Sequence, residues 1–129
     1  MKNTWMQVVF GLSAIYDGVL GLLFLFFGTA LYDLAGIERP NHMGYVHFPA
    51  LLLIVFAFMY WRIASEPVKF RDLIPYGIGL KMSYCLVVFY HWFAGGIPAI
   101  WIPFAWLDVF FLIFFVMAWT KTGRLRAVS

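Results

Sequence analysis

The sequence predicts an all-α fold, an integral membrane bundle of four transmembrane helices, and three observations carry that reading. The 129 residues are 64% hydrophobic and only 12% charged, whereas soluble domains average about 45–50% apolar and about 25% charged. The apolar residues gather into four stretches, each close to the roughly 20 residues a helix needs to cross a bilayer. Proline, glycine and charged residues collect between those stretches. Four spans with short loops use up this length, which leaves no room for a separate extramembrane catalytic domain. No nucleophile stands beside a base in the pattern, and the chain reads as a non-enzyme.

The first helix is expected over about residues 5–31, interrupted only by Asp17 and a few small or hydroxyl residues. Gly28-Thr29-Ala30 imitates a signal-peptide cleavage site, but the apolar run is about twice the length of a signal-peptide core and holds an acid, so it reads as a retained span. Ser13, Asp17, Gly21, Phe24 and Gly28 share one face. Gly18, Gly21 and Gly28 read as packing positions where another backbone approaches. Residues 32–46 carry turn residues (Gly36, Pro40, Asn41, Gly44) and charges and form the first loop.

The second helix is expected over about 47–62, with Pro49 in its first turn, where a missing N–H costs nothing, and Tyr60 and Trp61 as interfacial anchors. The next loop sets Arg62, Lys69 and Arg71 against Glu66 and Asp72, and Pro67 prevents one continuous helix. The third helix is expected over about 74–93, with Pro75 in its first turn, and the fourth over about 99–119. So short a connection makes the third and fourth antiparallel neighbours. In the tail after Trp119, Gly123 is the expected helix stop, with Lys121, Arg124 and Arg126 at the negative end of the dipole.

Lys2, Arg62, Lys69, Arg71, Lys121, Arg124 and Arg126 fall on one side of such a bundle, while the other two loops hold only Arg39. By the positive-inside rule both termini are cytoplasmic. The net charge of +3 then serves orientation and contact with anionic membrane lipids, and nucleic acid is not an expected partner. The single cysteine, Cys85, forms no intrachain disulfide and reads as core packing.

Lys81 lies inside the third span. Lys81, Tyr84, Cys85, Val88, His91 and Trp92 fall on one stripe at 3.6 residues per turn, so the polar groups face one way. A lysine near the centre of a span costs about 2.5–3.5 kcal/mol unless it is paired or hydrated. Asp17 and Asp108 are the acids that fall deep in other spans. At about 1.5 Å per residue they lie roughly 18 and 16 Å from their basic-side ends, and Lys81 lies roughly 10 Å deep on a stem that reaches further. Lys81 with Asp108 is the first expected pair, and Asp17 completes a triad. Tyr16, Ser13 and Tyr84 are expected to supply hydrogen bonds to it. Two carboxylates and one ammonium leave one negative charge in excess, which favours a proton on one acid or a cationic ligand. A functional role is the default for ionisable groups within a membrane; fixing helix register is the alternative.

His47 and His91 could lie at similar depth and ligate a haem iron, or with His42 or Asp33 a divalent metal. Hydrogen bonding with Tyr45, Tyr90 and Trp92 is the preferred reading for them, and no cofactor is expected.

The segments YDGVLG around Asp17, GYVHFP around His47, IPYGIGLKMSYC around Lys81 and AWLDVFF around Asp108 resemble a group of small bacterial four-span membrane proteins. The architecture is also similar to that of DoxX-like proteins and, more distantly, of EXPERA-type sterol-binding proteins, which place acids within a four-helix bundle. The resemblance implies the bundle and a bacterial inner membrane, and no particular activity. Three functions are compatible with the chain: a membrane protein binding a small or lipidic ligand or a partner at Asp17, Lys81 and Asp108, including an accessory subunit of a larger membrane complex; a proton-coupled small-molecule transporter acting as a homo-oligomer; and a haem b-carrying electron-transfer subunit. The first is the expectation.

Overall fold

A computed structural model describes residues 4–128; Lys2 lies outside the described residues. Four helices account for nearly all of the chain: α1 (Thr4–Ala35), α2 (Gly44–Ser65), α3 (Ile74–Ala94) and α4 (Trp101–Val128), with a 3-10 turn, Arg71–Leu73, leading into α3. All four are long and apolar enough to cross a membrane, the make-up of a multi-pass membrane protein. Large apolar side chains point outward on every helix, among them Ile15, Phe26, Phe58, Leu86 and Ile113. In water such a surface would drive association, whereas facing lipid it has no such cost.

The sequence explains the helix ends. At the end of α1, Gly36 takes φ 71°, its N–H donates to the Asp33 carbonyl and that of Ile37 to the Tyr32 carbonyl, both at 3.1 Å. That is a Schellman cap, and it needs the left-handed conformation glycine adopts freely. α1 therefore outruns its expected end at residue 31. Within it, Phe27 leaves helical geometry (φ −125°, ψ 23°) beside Gly28, and Phe24 before this kink and Tyr32 after it both meet Trp101 at the start of α4, with ring centroids 5.8 and 5.9 Å away.

Three expectations are corrected. α2 starts at Gly44 because the His42 imidazole accepts the Gly44 N–H at 2.9 Å, the His42 carbonyl accepts the Tyr45 N–H, and the Met43 carbonyl accepts those of Val46 and His47. Pro49 is consequently in the second turn and has no N–H to give the Tyr45 carbonyl. Tyr60 is no interfacial anchor: it is wholly buried, and its hydroxyl donates to the Gly77 carbonyl at 3.3 Å. Gly77 makes the room, since a Cβ there would stand 2.7 Å from the Tyr60 ring. Gly123 does not stop α4, which continues to Val128. Arg71 lies across that position, with Nη2 2.9 Å from where a Cβ would be. Its guanidinium stacks 3.6 Å from the Trp119 ring centroid and donates to the Trp119 carbonyl and the Thr122 hydroxyl. Arg126 reaches back to Asp72 and to the carbonyls of Val68 and Lys69. These contacts support the added turns against the loop after α2.

Two antiparallel hairpins result. α1 lies along α2 and α3 along α4, with lighter contact between α1 and α4 and between α2 and α3; among the described residues the diagonal pairs do not approach. The first hairpin is close because Gly21 presses on α2, where a Cβ would sit 2.7 Å from the Ala50 carbonyl oxygen and 2.9 Å from Ile54. At the basic end the hairpins meet in a dense apolar core of Met6, Phe10, Tyr60, Ile63, Ile74, Phe115 and Ala118, with Phe10 stacked on Phe115 at 4.5 Å. Toward the other end they separate.

A pair of glycine variants tests this packing. Gly11 meets nothing within 4 Å, so Gly11→Ala should stabilise by about 0.5–1 kcal/mol through helix propensity alone. Gly21→Ala should lose about 1–3 kcal/mol to overpacking. Unfolding in mixed micelles should place the two variants on opposite sides of the wild type.

Candidate functional site: a lysine held between two aspartates

The helices bring together three charges that lie far apart in sequence. Lys81 Nζ donates to Asp17 Oδ1 at 3.1 Å and Oδ2 at 3.3 Å, and to Asp108 Oδ1 at 3.1 Å. Lys81 and Asp17 are each 1% exposed and Asp108 7%. Asp108 sits on the neighbouring helix α4, whereas Asp17 sits on α1, diagonally across the bundle. Only a long, flexible stem covers that distance. Rings of Phe111, Tyr16 and Tyr60 surround the ammonium, their centroids 5.2, 5.3 and 5.4 Å from Nζ, within the roughly 6 Å over which a cation is drawn to an aromatic face.

Other expected members of the site behave differently. The Tyr84 hydroxyl donates to the Trp101 carbonyl at 2.9 Å and makes no bond to the cluster. Tyr16 contributes its ring, while its hydroxyl and that of Ser13 are buried with no hydrogen-bond partner among the described residues. Cys85 is buried, its thiol 3.5 Å from the Ala105 carbonyl. Sequence reasoning missed Tyr60 and Phe111 as walls around the ammonium. Phe111, three residues after Asp108, was visible only as one phenylalanine among many on α4.

The polar stripe of α3 does not extend to its end. Lys81 faces Asp108 and Cys85 faces Ala105, a register that sets His91 level with the loop ahead of Trp101, and both His91 and Trp92 are exposed. His47 is half-buried on α2, His42 caps that helix, and Asp33 is paired with Arg39. Among the described residues no three His, Cys, Asp or Glu side chains form a group that could hold a metal ion.

Where the hairpins separate, a cavity of about 440 Å³ opens directly onto the cluster, within the roughly 300–1,000 Å³ of ligand pockets. Asp17, Lys81 and Asp108 form its inner end. Leu20, Phe24, Leu53, Val88 and Phe104 give it apolar walls, and Tyr32, Tyr45, Ile97 and Trp101 stand at the end remote from the basic loops. Leu52 and Val87, both exposed, also line it from α2 and α3, so the cavity reaches the outer surface between these helices. The arrangement can hold an elongated apolar body with a polar group at the inner end.

Searches against protein-family models, curated proteins and solved structures gave no match.

The energetics of the cluster are directly testable. Lys81→Met leaves two buried carboxylates without a counter-charge and should cost about 3–5 kcal/mol. Combining it with Asp17→Asn and Asp108→Asn should recover most of that loss in the same unfolding assay. Ser13→Ala removes a buried hydroxyl with no partner and should stabilise the protein by about 1 kcal/mol.

Proposed function

We propose that this is a non-enzymatic protein of a bacterial inner membrane that binds a small or lipidic ligand in the cavity ending at Asp17, Lys81 and Asp108. The carrying observation is the cavity itself, a mostly apolar chamber whose inner end is a buried ionic cluster. Its opening between α2 and α3 supports entry from the lipid phase. The dense core below the cluster supports binding over passage, because Met6, Phe10, Tyr60 and Phe115 fill the bundle toward the basic end. That end gathers Arg62, Lys69, Arg71 and Arg126, and the Gln7 side chain meets the Ser65 carbonyl there. The gathering supports cytoplasmic termini by the positive-inside rule, with the wide end of the cavity toward the opposite face. The bacterial assignment rests on the resemblance to small four-span proteins.

Native mass spectrometry of the protein released gently from its own membrane tests the reading. The expected result is one or two copies of the chain carrying a small molecule in fixed proportion. Leu20→Trp, which fills the cavity from α1, should abolish that added mass while leaving the helical circular-dichroism signal intact. A chain found bare, or retained ligand unaffected by Leu20→Trp, overturns the assignment of the cavity. Recovery only with other polypeptides indicates an accessory subunit instead.

A further inference from the structure

The cavity's charge and hydrogen-bonding capacity identify the class of head group it takes, an inference that rests on the ligand-binding reading. An ammonium has three N–H donors and no acceptor. Lys81 directs its bonds to three carboxylate oxygens, Asp17 Oδ1, Asp17 Oδ2 and Asp108 Oδ1, and is enclosed at 1% exposure. The two Asp17 oxygens belong to one carboxylate and share an N–H, Asp108 takes a second, and the rings of Phe111, Tyr16 and Tyr60 packed around Nζ screen the remaining one from a carboxylate, phosphate or carbonyl ligand. The lysine that dominates the sequence is therefore a fixed internal counter-ion held between two acids.

Asp108 is different. One of its oxygens holds Lys81, and Oδ2 has no hydrogen-bond partner among the described residues. The side chain is nine-tenths buried and lines the cavity. Taken together the two carboxylates and one ammonium carry one negative charge in excess. A buried charge of that kind needs a compensating cation or a proton. The cavity it lines also carries the aromatic side chains of Tyr16, Tyr84 and Phe104, with Trp101 farther out, and aromatic rings attract organic cations. The Tyr84 hydroxyl is spent on the Trp101 carbonyl, so it too offers no proton to an anion.

We infer that the cavity binds a monocationic amphiphile, an amine or quaternary ammonium whose charge rests against Asp108 Oδ2 and whose chain runs along the apolar wall toward the opening between α2 and α3. One positive charge balances the site and a second would not.

Three probes with the same chain and different heads test this: decyltrimethylammonium, decanoate and decanol, each titrated into the full-length protein in nanodiscs of zwitterionic lipid, with empty nanodiscs as reference. The expected order in the wild type is the cation at least tenfold tighter than either of the others. This comparison requires no variant. Asp108→Asn should remove the cation's advantage, and Leu20→Trp should remove saturable binding of all three. If decanoate or decanol binds as tightly as the cation, and Leu20→Trp abolishes it, the head-group inference is overturned while the cavity still binds a ligand. If no probe binds saturably, this inference is overturned, and native mass spectrometry decides the cavity reading separately. Selectivity for the cation that survives Asp108→Asn in a folded protein also overturns it.

Discussion

The structure depends on one ammonium that reaches across the bundle. α1 packs on α2 and α3 on α4, so each hairpin has its own interface, but the helices at opposite corners do not approach each other. Lys81 bridges that gap to Asp17 while also holding Asp108 at its side. Opposite charges in a medium of low permittivity attract strongly, and their desolvation is also expensive. The bridge is therefore a poor source of net stability but a strong constraint on geometry, because only one register satisfies all three charges. Aromatic rings complete the surroundings of Nζ, and Tyr60, anchored on Gly77, closes the side toward the dense core.

The cavity is a consequence of the same constraint. Below the cluster the hairpins are drawn together by stacked rings, of which Phe10 on Phe115 is the closest. Above it the kinked end of α1 meets Trp101 and the exposed end of α3 has no partner helix, so the walls splay. Charge fixes the spacing at mid-height, packing fills one half, and the other half remains open. A void with an ionic inner end and apolar walls is what remains.

Much of this was legible in the sequence. Four apolar stretches, their antiparallel order and the depth of Asp17, Lys81 and Asp108 follow from composition and helical rise, and the structure brings those three side chains into contact. Gly21 was legible as a packing position because small residues among large ones in a span have few other uses. What could not be read depended on partners distant in the chain. Gly123 resembles a stop until Arg71, 52 residues earlier, is seen to occupy its open side. Tyr60 looks like an interfacial anchor until Gly77 gives its ring a place inside. Pro49 looks like a first-turn proline until the His42 side chain caps α2 a turn earlier. Periodicity placed His91 on the polar stripe but could not show that α4 begins too late to cover it.

The sequence separation of 64 between Asp17 and Lys81 has a consequence for how the chain enters a membrane. Synthesis at about 5–20 residues per second delivers the acid to the bilayer several seconds before its counter-charge exists. During that interval α1 and α2 can already close around Gly21, and Asp17 must keep a proton or remain beside water. Lys81 on α3 then supplies the counter-charge that joins the first hairpin to the second. The ionic cluster can therefore close only after the second half of the chain has been made.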